Sequence, residues 1–255
     1  MKAMILAAGE GSRLRPLTLT CPKPMLPIGG RPGLEWIVLW LRYYDVKDIY
    51  INLHHRPEAV QRHFGDGEAL GVHITYSLEH NILGTAGGVK RIEDQFTEPF
   101  AVVYGDVLTD LDLRSLIEFH YLQGPEPHIT LSLYHTPNPT ECGIVELDAS
   151  PHLASGRVTR FVEKPAAGDV FSDLANAGVL IVDPRLLSHV PAGAFYDFSI
   201  DLLPELLRRD IPVYGQAIPE HTYLIDIGTP EKYERVQVEW PEIPLARILA
   251  VEEQS

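Results

Sequence analysis

KAMILAAGEGSRLRPLTLTCPKP, residues 2–24, is the stretch on which the fold turns. Residues 2–8 form a short apolar run closed by Gly9, which is the length and composition of a strand. Behind it, residues 7–24 carry Gly9 and Gly11, the cations Arg13, Arg15 and Lys23, and three prolines, with Glu10 as the only acid. Turn residues of this kind suit a surface loop. In a chain of formal net charge −14, however, bare backbone beside concentrated positive charge also suits a loop that holds phosphates. Glycines expose N–H groups, and guanidinium forks match phosphate oxygens. Lys23 stands between Pro22 and Pro24, so its backbone is stiff and the starting point of its ammonium is fixed. Two familiar phosphate loops do not fit. A G-x-G-x-x-G fingerprint needs glycine where Leu14 stands and an acid at the end of the second strand, which reads Asn52-Leu53-His54. A P-loop needs G-K-[ST], which is absent here.

Downstream, the pattern alternates. Residues 33–44 (GLEWIVLWLRYY) are long and apolar enough for a buried helix, and residues 48–53 (DIYINL) form an isoleucine-rich strand. Residues 57–64 begin at a proline and stop at Gly65, as helices do. Strands are expected at 73–78, 99–105 and 128–134, and helices at 85–96 and 113–123. Alternation at this spacing implies crossover units and parallel pairing. After Tyr134 the rhythm changes: residues 143–148 and 157–163 alternate around a polar loop, which is a hairpin signal. Further strands are expected at 177–182, 211–218 and 223–227, and helices at 186–190, 200–209 and 229–239. The expected fold class is α/β. It would be one Rossmann-like domain over residues 1–240 with a mixed, mostly parallel central sheet flanked by helices, a small β-hairpin, and a short tail at 241–255.

With 255 residues, 45% of them apolar and 22% charged, the chain can bury a substantial core. No apolar run approaches the ~20 residues that span a bilayer. The N-terminal run reaches Glu10 and Arg13 too soon for a secretory signal, so a cytoplasmic location without a membrane partner is expected. Cys21 and Cys142 lie far apart and read as reduced thiols. His54 and His55 match no zinc spacing and read as a polar strand end. The acidic balance argues against a nucleic-acid partner. It leaves room for a small phosphorylated ligand and suits a divalent cation held between carboxylates.

The opening residues also resemble a family. G-x-G-x-R-x-x-P-L-T followed by P-K-P, here Gly9, Gly11, Arg13, Pro16, Leu17, Thr18, Pro22, Lys23 and Pro24, is similar to the opening motif of the sugar-phosphate nucleotidyltransferases, the NDP-sugar pyrophosphorylases. Other similar segments follow in family order. LGTAGG at 83–88 resembles the nucleoside-binding segment, and YGDVLTD holds the strand-end aspartate, Asp106. FVEKP at 161–165 resembles the sugar-phosphate motif, NAG at 176–178 the sugar-pocket strand, and DIGTP at 226–230 the segment with the second metal aspartate. The resemblance runs from residue 1 to about 238. Many members continue into a left-handed β-helix; no hexapeptide repeat is read here, so none is expected, and a homo-oligomer stays open.

The resemblance implies transfer of a nucleotidyl group from a nucleoside triphosphate to a sugar 1-phosphate, with release of pyrophosphate. The attacking phosphate oxygen is already anionic at neutral pH, so no general base is required. Positioning and charge neutralisation carry such chemistry. By resemblance the catalytic set is Arg13 and Lys23, which hold the triphosphate, and Asp106 and Asp226, which hold Mg²⁺. Each aspartate ends an apolar run where a parallel sheet would deliver side chains to its carboxyl edge. Asp110 and Asp112 are expected to serve only as turn and cap residues. Ala8, Gly9, Gly11, Glu79, Gly84 and Thr85 are the expected nucleotide contacts. Lys164 is expected on the sugar's phosphate, with Glu163, Asn176 and the backbone at Gly143 completing the sugar pocket. Glu163 and Lys164 would face opposite ways on a regular strand, so irregularity is expected near Pro165.

The E-x-x-x-LGTAG pattern resembles the guanylyl-transferring branch, which uses mannose 1-phosphate. Guanine presents adjacent N–H donors that the Glu79 carboxylate could accept. AAGEG also occurs in uridylyl- and thymidylyl-transferring members, which keeps UTP or dTTP as the alternative, with Glu79 a solvated strand end. Members that have lost catalysis and sense sugar nucleotides lack the metal aspartates or the loop cations. All of these residues are present here, which favours an enzyme.

Overall fold

Lys2–Leu6 forms the first strand and pairs in parallel with Asp48–Leu53, in register from Lys2 opposite Asp48 to Leu6 opposite Asn52. Asp48–Leu53 pairs in parallel with His73–Leu78. Parallel neighbours need long connections, and the helices Gly33–Tyr43 and Pro57–Phe64 supply them. Gly33–Tyr43 is buried from Gly33 through Leu41, so it is a helix inside a core rather than an amphipathic one. Its tryptophans still satisfy their indole N–H groups, as buried donors must. Trp36 donates to the Ile28 carbonyl at 2.9 Å and Trp40 to the Leu111 carbonyl at 3.1 Å.

These elements belong to the first of two compact units in the computed structural model, which describes residues 1–148 and 155–251. The first unit takes Met1–Ile82, Val103–Leu111 and Thr222–Ser255; the second takes Leu83–Val102 and Asp112–His221. The units interleave along the chain, and the division falls inside the strand Phe100–Tyr104. A single domain over residues 1–240 was the sequence-based expectation. The stretch beyond 240 is also more than a tail: Pro244–Val251 is a helix of the first unit that buries Leu245, Ala246 and Leu249.

A second difference in the first unit concerns Leu224–Asp226. It joins no parallel sheet. It pairs antiparallel with Val107–Thr109, with Asp226 opposite Val107. The strand falls within the expected 223–227, but Val107–Thr109 is too short to show a period, which is why the antiparallel pairing is not legible in the sequence. The helix Pro230–Glu239 follows, with Thr229 as its N-cap.

The second unit is built mainly of antiparallel pairs. Its strand order is Leu174–Val182, Ile129–His135, Val213–Ala217, Ser155–Glu163 and Gly143–Leu147. Ile129–His135 and Val213–Ala217 pair in parallel. Ser155–Glu163 is antiparallel to both Gly143–Leu147 and Val213–Ala217, and Leu174–Val182 to Ile129–His135. Ala175 also pairs with Ile144, so this sheet curls back on itself. A mostly parallel sheet therefore describes the first unit and not the second. The reason lies in the connections. The link from Glu163 to Leu174 holds only a 3₁₀ turn, Ala167–Asp169, too little for a crossover helix. The helices here are less regular than expected: Gly84–Lys90 stops before a 3₁₀ turn, Pro184–His189 is wholly 3₁₀, and Phe198–Leu202 is a π turn leading into Leu203–Arg208. Leu113–Leu122 is capped by Asp112, whose side chain accepts from Arg114 N and Ser115 N.

Candidate functional site

The expected catalytic residues all lie in the first unit. After the first strand the chain tightens into a 3₁₀ turn, Ser12–Leu14, which buries Leu14 and leaves Arg13 exposed. The Thr18 hydroxyl donates to the Gly11 carbonyl at 2.8 Å and closes the loop on itself. Lys23 opens a second 3₁₀ turn, Lys23–Met25, and its ammonium pairs with Asp106 Oδ2. Asp106 occupies the turn between Phe100–Tyr104 and Val107–Thr109. That turn is held against the first strand where Gly105 N donates to the Leu6 carbonyl at 2.9 Å.

Asp226 reaches the same place by a different route. Ile227 N donates to the Asp106 carbonyl at 2.7 Å, so the two aspartates occupy adjoining positions on one ribbon. Its location is set by antiparallel register and not, as the sequence suggested, by the edge of a parallel sheet. Asp226 Oδ2 pairs with the ammonium of Lys232, in the first turn of Pro230–Glu239. Among the described residues no group of three or more His, Cys, Asp or Glu could hold a metal. Two carboxylates remain an apt donor set for Mg²⁺, a hard cation that takes one or two protein carboxylates and fills its octahedron with water and phosphate oxygens. Asp110 is structural, accepting from Tyr223 N at 2.7 Å.

Glu79 is not a solvated strand end: it is only 4% exposed. Asn52 Nδ2 donates to Glu79 Oε1 at 2.8 Å, while Asn52 Oδ1 accepts from Ala7 N at 2.7 Å. A backbone N–H can only donate, so Asn52 must turn its oxygen to Ala7 and its NH₂ to Glu79. The amide thereby demands an acceptor at position 79. His54 Nδ1 stands 2.8 Å from the Glu79 carbonyl. Ala8 is buried and Gly9 exposed. The sequence reading missed Asn52, although a polar residue in an otherwise apolar strand end was a usable signal.

In the second unit, Glu163 ends its strand directly opposite Gly143. The irregularity expected near Pro165 is Lys164 itself, at φ 47°, where few non-glycine residues sit. Lys164 N donates to the Cys142 carbonyl at 2.9 Å, and its Nζ comes within 3.7 Å of Glu163 Oε1. A Cβ at Gly143 would lie 2.6 Å from Glu163 Oε2 and 2.6 Å from the Phe161 ring, so only glycine lets the carboxylate fold over that strand. Burial pushes the Glu163 carboxyl above the ordinary glutamate range, and the Asp197 carboxylate adds to this. The Lys164 ammonium and the Ser199 hydroxyl pull it back. Asn176 Oδ1 accepts from Gly178 N at 3.0 Å, where the register of its strand shifts.

The LGTAGG segment has a structural duty in this unit. The Thr85 hydroxyl donates to Asp197 Oδ2 and accepts from Phe198 N, both at 2.8 Å. Tyr196 N donates to the Leu83 carbonyl, and Gly87 N to the Tyr196 carbonyl, both at 2.9 Å. A Cβ on Gly84, which sits at φ +75°, would lie 2.6 Å from Tyr196 O. Glycine and threonine here clasp residues 196–198 of the same unit, and the Thr85 hydroxyl is committed to that clasp.

Residues 2–242 match the sequence model of the family described as Nucleotidyl transferase. A UTP–glucose-1-phosphate uridylyltransferase of Synechocystis sp. is 36% identical over 245 residues, covering 91% of this chain and 61% of the relative. A mannose-1-phosphate guanylyltransferase of Mycobacterium tuberculosis is 34% identical over 235 residues, covering 91% and 62%. The chain thus spans about three-fifths of the length of these curated relatives. Among solved structures, HddC of Yersinia pseudotuberculosis complexed with GMP-PN has a TM-score of 0.74 and 24% identity, covering 93% of this chain and 98% of that one; this is a likeness of fold. Among the described residues no helix is long and apolar enough to cross a membrane.

Proposed function

The chain belongs to the nucleotidyl transferase family, and on that premise we propose that it is an enzyme that joins a nucleoside triphosphate to a sugar 1-phosphate and releases pyrophosphate. GTP and mannose 1-phosphate would be its substrates and GDP-mannose its product. One observation carries the reading: Asp106 and Asp226 adjoin on one ribbon, each with a lysine ammonium on its carboxylate.

The chemistry asks the protein to bring two polyanions together. Lys23 and Arg13 would hold the β- and γ-phosphates and stabilise the charge that leaves with pyrophosphate. Mg²⁺ held by Asp106 and Asp226 would supply further charge neutralisation. Lys164 would take the sugar's phosphate, and Glu163, beside Gly143, would accept from sugar hydroxyls. The nucleophile is the phosphate oxygen of the sugar 1-phosphate, so no residue is assigned to remove a proton. Ala8, Gly9, Gly11 and Gly84 would present backbone to the nucleotide.

Support for guanine comes from Glu79, a buried carboxylate whose orientation Asn52 sets. The second reading, UTP with glucose 1-phosphate, is favoured by the 36% identity to the Synechocystis enzyme. Pyrophosphate release measured with GTP, UTP, dTTP and ATP against mannose and glucose 1-phosphates separates the two. GTP with mannose 1-phosphate should give the highest kcat/KM. Glu79→Gln should shift preference away from GTP by about ten- to a hundredfold, the size of a lost charge-assisted hydrogen bond. Faster turnover of a pyrimidine nucleotide by the wild type would end the guanine assignment, and no release from any pair would end the reaction assignment.

A further inference from the structure

We infer that Lys232 is the resident counter-ion of Asp226, that it must leave the carboxylate when a divalent cation arrives, and that its ammonium then serves the polyphosphate. This rests on the reading of Asp226 as a metal ligand. Lys232 Nζ stands on Asp226 Oδ2. The other oxygen, Oδ1, lies over Gly228, where a Cβ would strike it and would also come within 3.4 Å of Arg13 Nη2. Asp226 is paired with Lys232, and Arg13 lies near the same Gly228 backbone without forming an ion pair with the carboxylate, while Asp106 is paired with Lys23.

Local structure gives no other reason for a lysine at this position. Thr229 is the N-cap of Pro230–Glu239, with Pro230 and Glu231 the first helical residues, which makes Lys232 the third. The positive end of the helix dipole disfavours a cation there, and Glu or Gln is the usual capping choice at that place. The lysine is thus held against the helix's own preference, and Asp226 is the partner that offsets it. Side-chain exposures of 36% for Lys232 and 40% for Asp226 put the pair in contact with water. Exposed pairs are weak and exchange readily.

The charge balance turns this into a binding rule. Arg13, Lys23 and Lys232 are three cations beside two carboxylates, so a divalent cation alone adds to an existing positive excess. A polyanion arriving with it removes that excess. Lys232 would then make metal and polyphosphate binding depend on one another, a coupling that is necessarily reciprocal.

The test measures Mn²⁺ binding by electron paramagnetic resonance, with no nucleotide present, and then pyrophosphate binding by calorimetry in the presence of Mn²⁺. Lys232→Ala should bind Mn²⁺ alone about two- to fivefold more tightly, the size of a released exposed ion pair. It should also bind pyrophosphate more weakly by a similar factor, and Lys232→Arg should restore both. Unchanged or weaker Mn²⁺ binding by Lys232→Ala overturns the counter-ion role, and unchanged pyrophosphate binding overturns the phosphate role. Asp226→Asn is the control for the premise. If it binds Mn²⁺ as the wild type does, the metal reading itself fails, whatever Lys232 does.

Discussion

In the first unit the carboxylates expected to carry chemistry are each covered by a lysine, Asp106 by Lys23 and Asp226 by Lys232. In the second, Glu163 has its lysine at arm's length, with Lys164 Nζ 3.7 Å away, and its titration is dominated by burial. The two arrangements suit different ligands. The Lys232–Asp226 pair is reached by water. Such pairs change partners at little cost, as a group that must take up and release a metal and a polyphosphate in every turnover requires. The Lys23–Asp106 pair is more enclosed. A carboxylate kept partly dry is costly to charge and is held by directed hydrogen bonds, which suits recognition of neutral hydroxyls by geometry. The first unit would manage charge, and the second would read shape.

The largest effect expected from this contrast is on turnover. Asp226→Asn should lower kcat by roughly a hundredfold or more, within the range for loss of an electrostatic contributor to a transition state, and EDTA should abolish activity of the wild type. The variant's thermal melt should stay close to that of the wild type, because the pair it breaks is exposed. Substantial turnover in EDTA would remove the metal from the reading. A collapse of the melt would show that the carboxylate is structural, and the contrast between the units would fail.

A smaller effect separates the two anion sites. Lys23→Ala should raise KM for the triphosphate by about ten- to a hundredfold, as expected for a lost charged hydrogen bond, with little change in KM for the sugar phosphate. Lys164→Ala should do the reverse. Steady-state kinetics with each substrate varied in turn checks the crossing pattern. Equal effects of both variants on both substrates would mean that the division of labour is wrong.

What the sequence discloses depends on how far apart the cooperating residues are. The strands Asp48–Leu53 and His73–Leu78 and the helices Pro57–Phe64 and Pro230–Glu239 follow their expected bounds, because their apolar periods and proline starts are local. Apart from the pair Gly143–Leu147 and Ser155–Glu163, which alternation signals locally, the antiparallel character of the second unit is not local. It follows from links too short for helices, and the alternating strands look alike in either pairing. Asp226 was legible as a residue of interest but not in its setting, since a three-residue ribbon has no period. Lys232 carried a readable sign, a cation in the first turn of a helix. The clasp between Thr85 and Asp197 joins residues 112 positions apart, and nothing in either segment alone points to the other. The glycines of LGTAGG thus invite a ligand-binding reading even though Tyr196 already requires one of them.

The smallest effect bears on the dry side of the contrast and should favour the variant. Glu163 has its pKa raised by burial above the ordinary 4.5, so the folded protein binds this proton more tightly than the unfolded chain does. The sign follows from linkage: the native state holds more protons in the window between 4.5 and the raised value, so stability falls as pH rises through it. Above that window the full penalty of a charged, partly desolvated carboxylate is present, and below about pH 4 it is gone. Glu163→Gln keeps an oxygen to accept from Ser199 and carries no charge. It should therefore melt higher than the wild type at pH 7–8, by roughly 1–5 °C if the gain is that of an ordinary stabilising substitution. The gap should close as the pH is lowered to 4, while affinity for the sugar phosphate drops. Thermal melts of both proteins across pH 4–8 decide it. A gap that does not change with pH, or a wild type more stable throughout, would show that burial does not disfavour the charged form of Glu163, and the second unit would not hold its carboxylate in the way the contrast requires.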